Sequence, residues 1–175
     1  MKKNGEKYLP EFIYGAIDGI VTTFAVVAGS LGAGLSSSII LILGFANLFA
    51  DGFSMAISNY LSIKSENELN SRHNHKHDHV KNPKKTALAT FNAFVIVGFI
   101  PLISFVLAMF IPFVNTHKFL YSGILTGIAF IIVGAFKSKI IGNSRIKSII
   151  ETLIIGGIAA FIAYLVGYIL KSIAV

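Results

Sequence analysis

GFANLFADGFSMAISNYL, residues 44–61, decides how this chain is read. The stretch is apolar enough to cross a bilayer, yet Asp51 stands in its middle. Asn47 lies four residues before it, and Met55 and Asn59 lie four and eight after. Steps of four turn only about 40° around an α-helix, so these side chains form one slowly winding polar stripe. A charged group at the centre of a membrane helix costs about 2.5–3.5 kcal/mol on insertion scales. Such groups therefore line an interior or a pathway.

The rest of the chain fits a membrane setting. Of its 175 residues, 54% are hydrophobic and only 13% charged, where soluble domains carry roughly a quarter. The mean hydropathy is +0.75. There is no cysteine, which excludes disulfides and thiolate metal sites. The N-terminal MKKNGEKYLPEF is basic, but the apolar run after it is too long for a cleavable signal. That run also contains Asp18 and lacks a small-residue cleavage site, so it reads as a first span that stays.

The pattern predicts an all-α polytopic membrane protein, one transmembrane domain over 1–175. Five spans are expected near 11–32, 39–63, 86–111, 119–136 and 149–170. A short uncharged link joins the first two, and a hydrophilic loop, 64–85, separates the second from the third. Pro112 ends the third span, Lys137 the fourth and Lys171 the fifth. Pro101 should kink the third unless neighbours satisfy the carbonyl it frees.

The formal charge of +7 is distributed by topology. Lys2, Lys3 and Lys7 precede span one. Lys64, Arg72, Lys76, Lys81, Lys84 and Lys85 lie between spans two and three, and Lys137, Lys139, Arg145 and Lys147 between four and five. These segments share one side and hold 13 of the 15 basic residues; the other side has Lys118 and Lys171. By the positive-inside rule the N-terminus is cytosolic and the C-terminus lies on the far side. The basic balance thus reports orientation and contact with anionic lipid, not nucleic acid.

Of the eight acids, Glu6, Glu66, Glu68 and Asp78 fall in cytosolic segments. Glu11 and Glu151 sit near span starts, where a carboxylate suits the helix dipole. Asp18 and Asp51 remain at lipid depth. Counting from the cytosolic ends, Asp18 is about 10 Å in and Met55 about 12 Å. The two antiparallel spans should pack side by side, with Asp18 level with Met55 and Asp51 one turn deeper. Thr22 lies one turn from Asp18, and Gly15 and Gly19 form a G-x-x-x-G that permits close helix contact.

Carboxylate, amide and hydroxyl oxygens suit hard divalent cations, whereas a thioether is soft. Together Asp18, Asp51, Asn47, Asn59, Thr22 and Met55 favour a first-row transition ion such as Fe²⁺ or Mn²⁺ over Ca²⁺ or Mg²⁺. A site that is to be crossed must also bind weakly enough to release. Two carboxylates can instead carry protons, or exchange protons for metal. The bland alternative is hydrogen-bonding glue for the Asn and Thr residues and gap-filling for Met55.

IDGIVTTFAVVAGSLGA (17–33) and ILGFANLFADGFSMAISNYLSIKSE (42–66) resemble the first two helices of the vacuolar iron transporter family, which includes the yeast-type manganese and iron transporters. NPKKTALATFNAFVIVGFIPL (82–102), VGAFKSKIIGNS (133–144) and SIIETLIIGGIAAFIAYLVGYIL (148–170) resemble its later helices. The resemblance implies a five-helix homodimer moving Fe²⁺, and often Mn²⁺, out of the cytosol against protons, with no permanently bound cofactor. It places Asp18 and Met55 on the path. A family position that is acidic in plant members is Asn47 here, and Asp51 is acidic where plant members can have glycine.

Plant-type members carry a large metal-collecting domain between spans two and three. This chain resembles a short form, with only KSENELNSRHNHKHDHVKNPKK in that place. His73, His75, His77 and His79 alternate there around Asp78, with Glu66 and Glu68 upstream. Imidazoles near neutral pH bind transition ions, so this loop is a candidate for cytosolic metal capture. The other reading is a solvated basic loop. No G-x-S-x-G, H-E-x-x-H or phosphate-loop motif points to an enzyme. A proton or cation channel and a non-transporting membrane scaffold are the competing functions. The host membrane is expected to be the plasma membrane in a prokaryote and a vacuolar-type membrane in a eukaryote.

Overall fold

The computed structural model describes residues 6–72 and 81–174, and among them every regular element is helical. A 3-10 turn, Glu6–Tyr8, opens into α1, Leu9–Gly32. Pro10 sits in the first turn of α1, where its missing N–H costs nothing. The helix stops on a glycine turn. Gly34 takes φ +72°, and the Leu35 N–H donates to the Ser30 carbonyl at 2.9 Å. The Gly34 N–H donates to that of Leu31 at 3.0 Å, which completes a Schellman end. Glycine alone holds that backbone angle without strain.

Helix α2, Ser37–Arg72, runs for 36 residues, about 54 Å, where a bilayer core needs only ~30 Å. Its polar last turns therefore stand clear of the hydrocarbon. Helix α3, Pro83–Gly98, is capped by Asn82, whose Oδ1 accepts from the N–H groups of Lys84 (3.0 Å) and Lys85 (3.3 Å). Helix α4, Ile100–Ala108, continues at a bend of 44°. The bend opens at Phe99, two residues before Pro101. There the Ser122 hydroxyl donates to the Pro101 carbonyl at 2.7 Å, a buried bond that ties the bend to the next long helix.

A short α5, Pro112–Thr116, leads to α6, Lys118–Ile141, and α7, Arg145–Ala174. Four helices are long and apolar enough to cross a bilayer, and α3 with α4 makes a fifth, bent span. The protein is an all-α polytopic membrane protein.

The core joins α1, α2, α3 and α4 through Val27, Ile40, Leu48, Phe94, Leu102 and Phe105. The outward faces carry bare Ile, Leu and Phe, as contact with lipid requires. Helix α1 packs along α3 and α7 more than along α2, although α2 follows it directly. Small residues decide this. A side chain on Gly15 would collide with the Thr90 carbonyl, and one on Gly19 with that of Phe94. Gly32 and Gly167 do the same between α1 and α7. The G-x-x-x-G of span one, expected to permit close helix contact, is thus filled by α3 within the chain.

Candidate functional site

Phe94 sets the register of the site. Its backbone lies against Gly19 of α1, and its ring lies 3.2 Å from where a Gly52 side chain would start on α2. Asp18 precedes Gly19 and Asp51 precedes Gly52, so the two carboxylates stand at one level. Asp18 is half-buried and Asp51 is exposed. The chain count that paired Asp18 with Met55 is therefore off by a turn. Met55 lies one turn nearer the Lys-rich end, half-buried against the cluster that contains Phe94. The count started from expected span ends at residues 11 and 63, which hydropathy places only to within a few residues, whereas Phe94 touches both helices directly.

The inward face of α2 runs through Ile40, Gly44, Leu48, Gly52 and Ala56. Asp51 stands about 100° away from Gly52. It is exposed, as are Ser54 and Ser58 on the same side. Tyr14 of α1 is 61% exposed. The single chain thus leaves Asp51, Ser54 and Ser58 of α2 open. Asn47 and Asn59 lie to either side, over about 18 Å of helix. The Asn47 Nδ2 and the Asn59 Oδ1 are buried without a hydrogen-bond partner among the described residues. The Thr22 hydroxyl donates to the Asp18 carbonyl at 2.8 Å, so its proton is committed while its oxygen keeps a lone pair.

Among the described residues no three His, Asp or Glu side chains converge. The acidic part of the site is a pair. Glu66 and Glu68 are exposed on the extension of α2, with Glu68 3.9 Å from Lys64. His73, His75, His77, His79 and Asp78 lie outside the described residues.

Glu11, expected only to suit the helix dipole, is buried. It is 7% exposed, far beyond what a dipole partner at a helix start needs. One carboxylate oxygen accepts from Lys81 Nζ, and the other is buried with no hydrogen-bond partner among the described residues. The Lys81 carbonyl in turn accepts from Asn67 Nδ2 at 3.0 Å, which ties the start of α1 to the extension of α2. Glu11 is seven residues from Asp18, hence on nearly the same face of α1, about 10 Å away. That spacing was the available signal of its burial.

The sequence model of the VIT family matches residues 9–81 and 70–168. The chain belongs to the VIT family. The two matched segments of this VIT-family chain overlap in the hydrophilic connection between α2 and α3. A vacuolar iron transporter of Toxoplasma gondii is 26% identical over 227 residues, covering 95% of this chain and 75% of the relative. That alignment is longer than this chain's 175 residues, so the relative carries residues that this chain lacks. Vacuolar iron transporter 1 of Eucalyptus grandis is 29% identical, with 88% and 83% of the two chains covered. Vacuolar iron transporter 1 of Arabidopsis thaliana is 27% identical, with 88% and 82% covered.

Proposed function

We propose that this protein is a transporter, not an enzyme, that moves Fe²⁺, and Mn²⁺ as a second substrate, out of the cytosol in exchange for protons. The observation that carries the reading is the pairing of Asp18 with Asp51 at the level where Phe94 touches both helices, with Asp51 left open by the single chain. The names of its VIT-family relatives support the same substrate class.

Two like charges at mid-bilayer depth repel, and either a divalent cation or protons relieve that repulsion. A dication that sheds water here gains two carboxylates. The amide oxygens of Asn47 and Asn59 extend its route, and the thioether of Met55 favours a softer ion. No permanently bound cofactor enters the proposal. The open face is covered by a second copy, so that Asp51 faces a partner and not lipid. The N-terminus is cytosolic, and the His73–His79 tract collects metal at that side.

Proteoliposomes holding the purified chain test this reading. With an imposed pH gradient, Fe²⁺ and Mn²⁺ should cross faster than Ca²⁺, and collapsing the gradient should slow them. Absence of metal flux in every condition would leave the scaffold reading, and proton flux alone would leave the channel. Native mass measurement in mild detergent should find a dimer; monomer alone would contradict the covering of Asp51.

A further inference from the structure

At the Lys-rich end of the bundle the acids are used up unevenly. Lys64 meets Glu68, Lys81 meets Glu11, and Lys137 meets Glu151 at 2.9 Å. The last pair ties α6 to α7 and consumes the one acid that either helix carries. Lys139, Arg145 and Lys147 are left with no acidic partner among the described residues.

Two of these cations share a cavity. Lys139 and Arg145 line a space of about 160 Å³ whose remaining walls are Phe136 and Ala135. Gly142, at φ +74°, closes α6 and turns the chain back, which brings Arg145 at the start of α7 to the side of Lys139. Lys139 Nζ lies 5.7 Å from the centre of the Phe136 ring, which is itself 54% exposed. The cavity wall is therefore apolar, formed by Phe136, Ala135 and the stems of Lys139 and Arg145, whose charged ends lie beyond it. Phe136 is five residues from the end of α6, about 8 Å below it, at the edge of the hydrocarbon. Lys139 and Arg145 stand at headgroup level.

We propose that this cavity seats one anionic phospholipid, its phosphate between Lys139 and Arg145 and the first part of an acyl chain against Phe136 and Ala135. A free soluble anion has no use for the exposed Phe136, and a zwitterionic headgroup does not match two unpaired cations. Convergent basic residues at the ends of membrane helices recognise acidic headgroups in this way. The cavity includes neither Asp18 nor Asp51, and its proposed occupant does not depend on what the protein transports.

The test uses the full chain in nanodiscs of equimolar phosphatidylglycerol and phosphatidylcholine with matched chains, with the retained lipids counted by native mass spectrometry. Each cation near the surface favours an acidic headgroup by about fivefold, so the wild type should keep phosphatidylglycerol over phosphatidylcholine by about 30-fold at this site. Lys139→Gln with Arg145→Gln should bring the ratio near one, whereas Lys84→Gln with Lys85→Gln should leave it unchanged. Phe136→Ala should lower retention of both lipids. All the altered side chains are exposed, so folding does not depend on them. Three results would overturn the assignment: an undiminished preference in the Lys139/Arg145 variant, retention indifferent to Phe136→Ala, or displacement of the lipid by inorganic phosphate.

Discussion

Gly19→Ala strikes the contact that sets the level of Asp18. A side chain there would press on the Phe94 carbonyl oxygen and start 2.8 Å from the Phe94 Cα and 3.0 Å from its carbonyl carbon. Carbon atoms settle about 3.5–4.0 Å apart, so α1 and α3 must separate by roughly 1 Å. The obstructing atoms are backbone, which no rotamer change removes. Overpacking of this kind costs about 1–3 kcal/mol. Alanine also gains about 1 kcal/mol over glycine inside a helix, so a matched control is needed. Gly157 of α7 provides it, since nothing lies within 4 Å of a side chain added there. Gly157→Ala carries the helical gain without the collision. At about 2–4 °C per kcal/mol for a chain of this size, Gly19→Ala should unfold roughly 2–12 °C below Gly157→Ala in the same detergent. Transport should fall with it, because Asp18 moves with α1, while Gly157→Ala should transport as the wild type does. Equal unfolding temperatures for the two variants would refute the claim that α1 and α3 touch at Gly19.

Asp18→Asn keeps the shape and removes the charge, and should abolish flux of every divalent ion while the protein still inserts. Met55→Leu keeps volume at a cost under about 1.5 kcal/mol, and should lower Fe²⁺ uptake more than Mn²⁺ or Ca²⁺ uptake. An equal loss for all three ions would dispose of the soft-ligand argument. Lys81→Gln strands the buried Glu11 carboxylate and should cost about 1–3 kcal/mol in detergent unfolding, since Lys81 keeps some contact with water. Adding Glu11→Gln should restore most of that loss, and simple addition of the two losses would show that the pair is not coupled. Deleting 73–79 should raise the metal concentration needed for half-maximal flux but spare flux at saturation, a split that initial-rate curves read directly.

The helices were legible because their signals are local. An apolar run of membrane length must satisfy its own backbone, so it is a helix whatever surrounds it. The Asn82-Pro83 start of α3, the turn at Gly34 and the break near Pro101 are also written in a few adjacent residues. The polar stripe of α2 needed only a spacing of four. Glu11 was overlooked because a carboxylate near a helix start has an ordinary explanation, and only its burial shows that the ordinary one falls short. The histidine tract was legible as composition, and composition is where that reading stays.

The sequence by itself determined that this is a helical membrane protein with two carboxylates at lipid depth. Desolvation of charge and backbone dictates both from composition and spacing alone. Only the tertiary structure decided which helices meet and at what height. The G-x-x-x-G of α1 offers a groove to any partner, and the backbones of Thr90 and Phe94 are what occupy it. Asp51 is level with Asp18 because one phenylalanine, from a segment more than 40 residues away, wedges against both helices. Such contacts depend on the matched shapes of distant segments, and periodicity within one segment carries no trace of them.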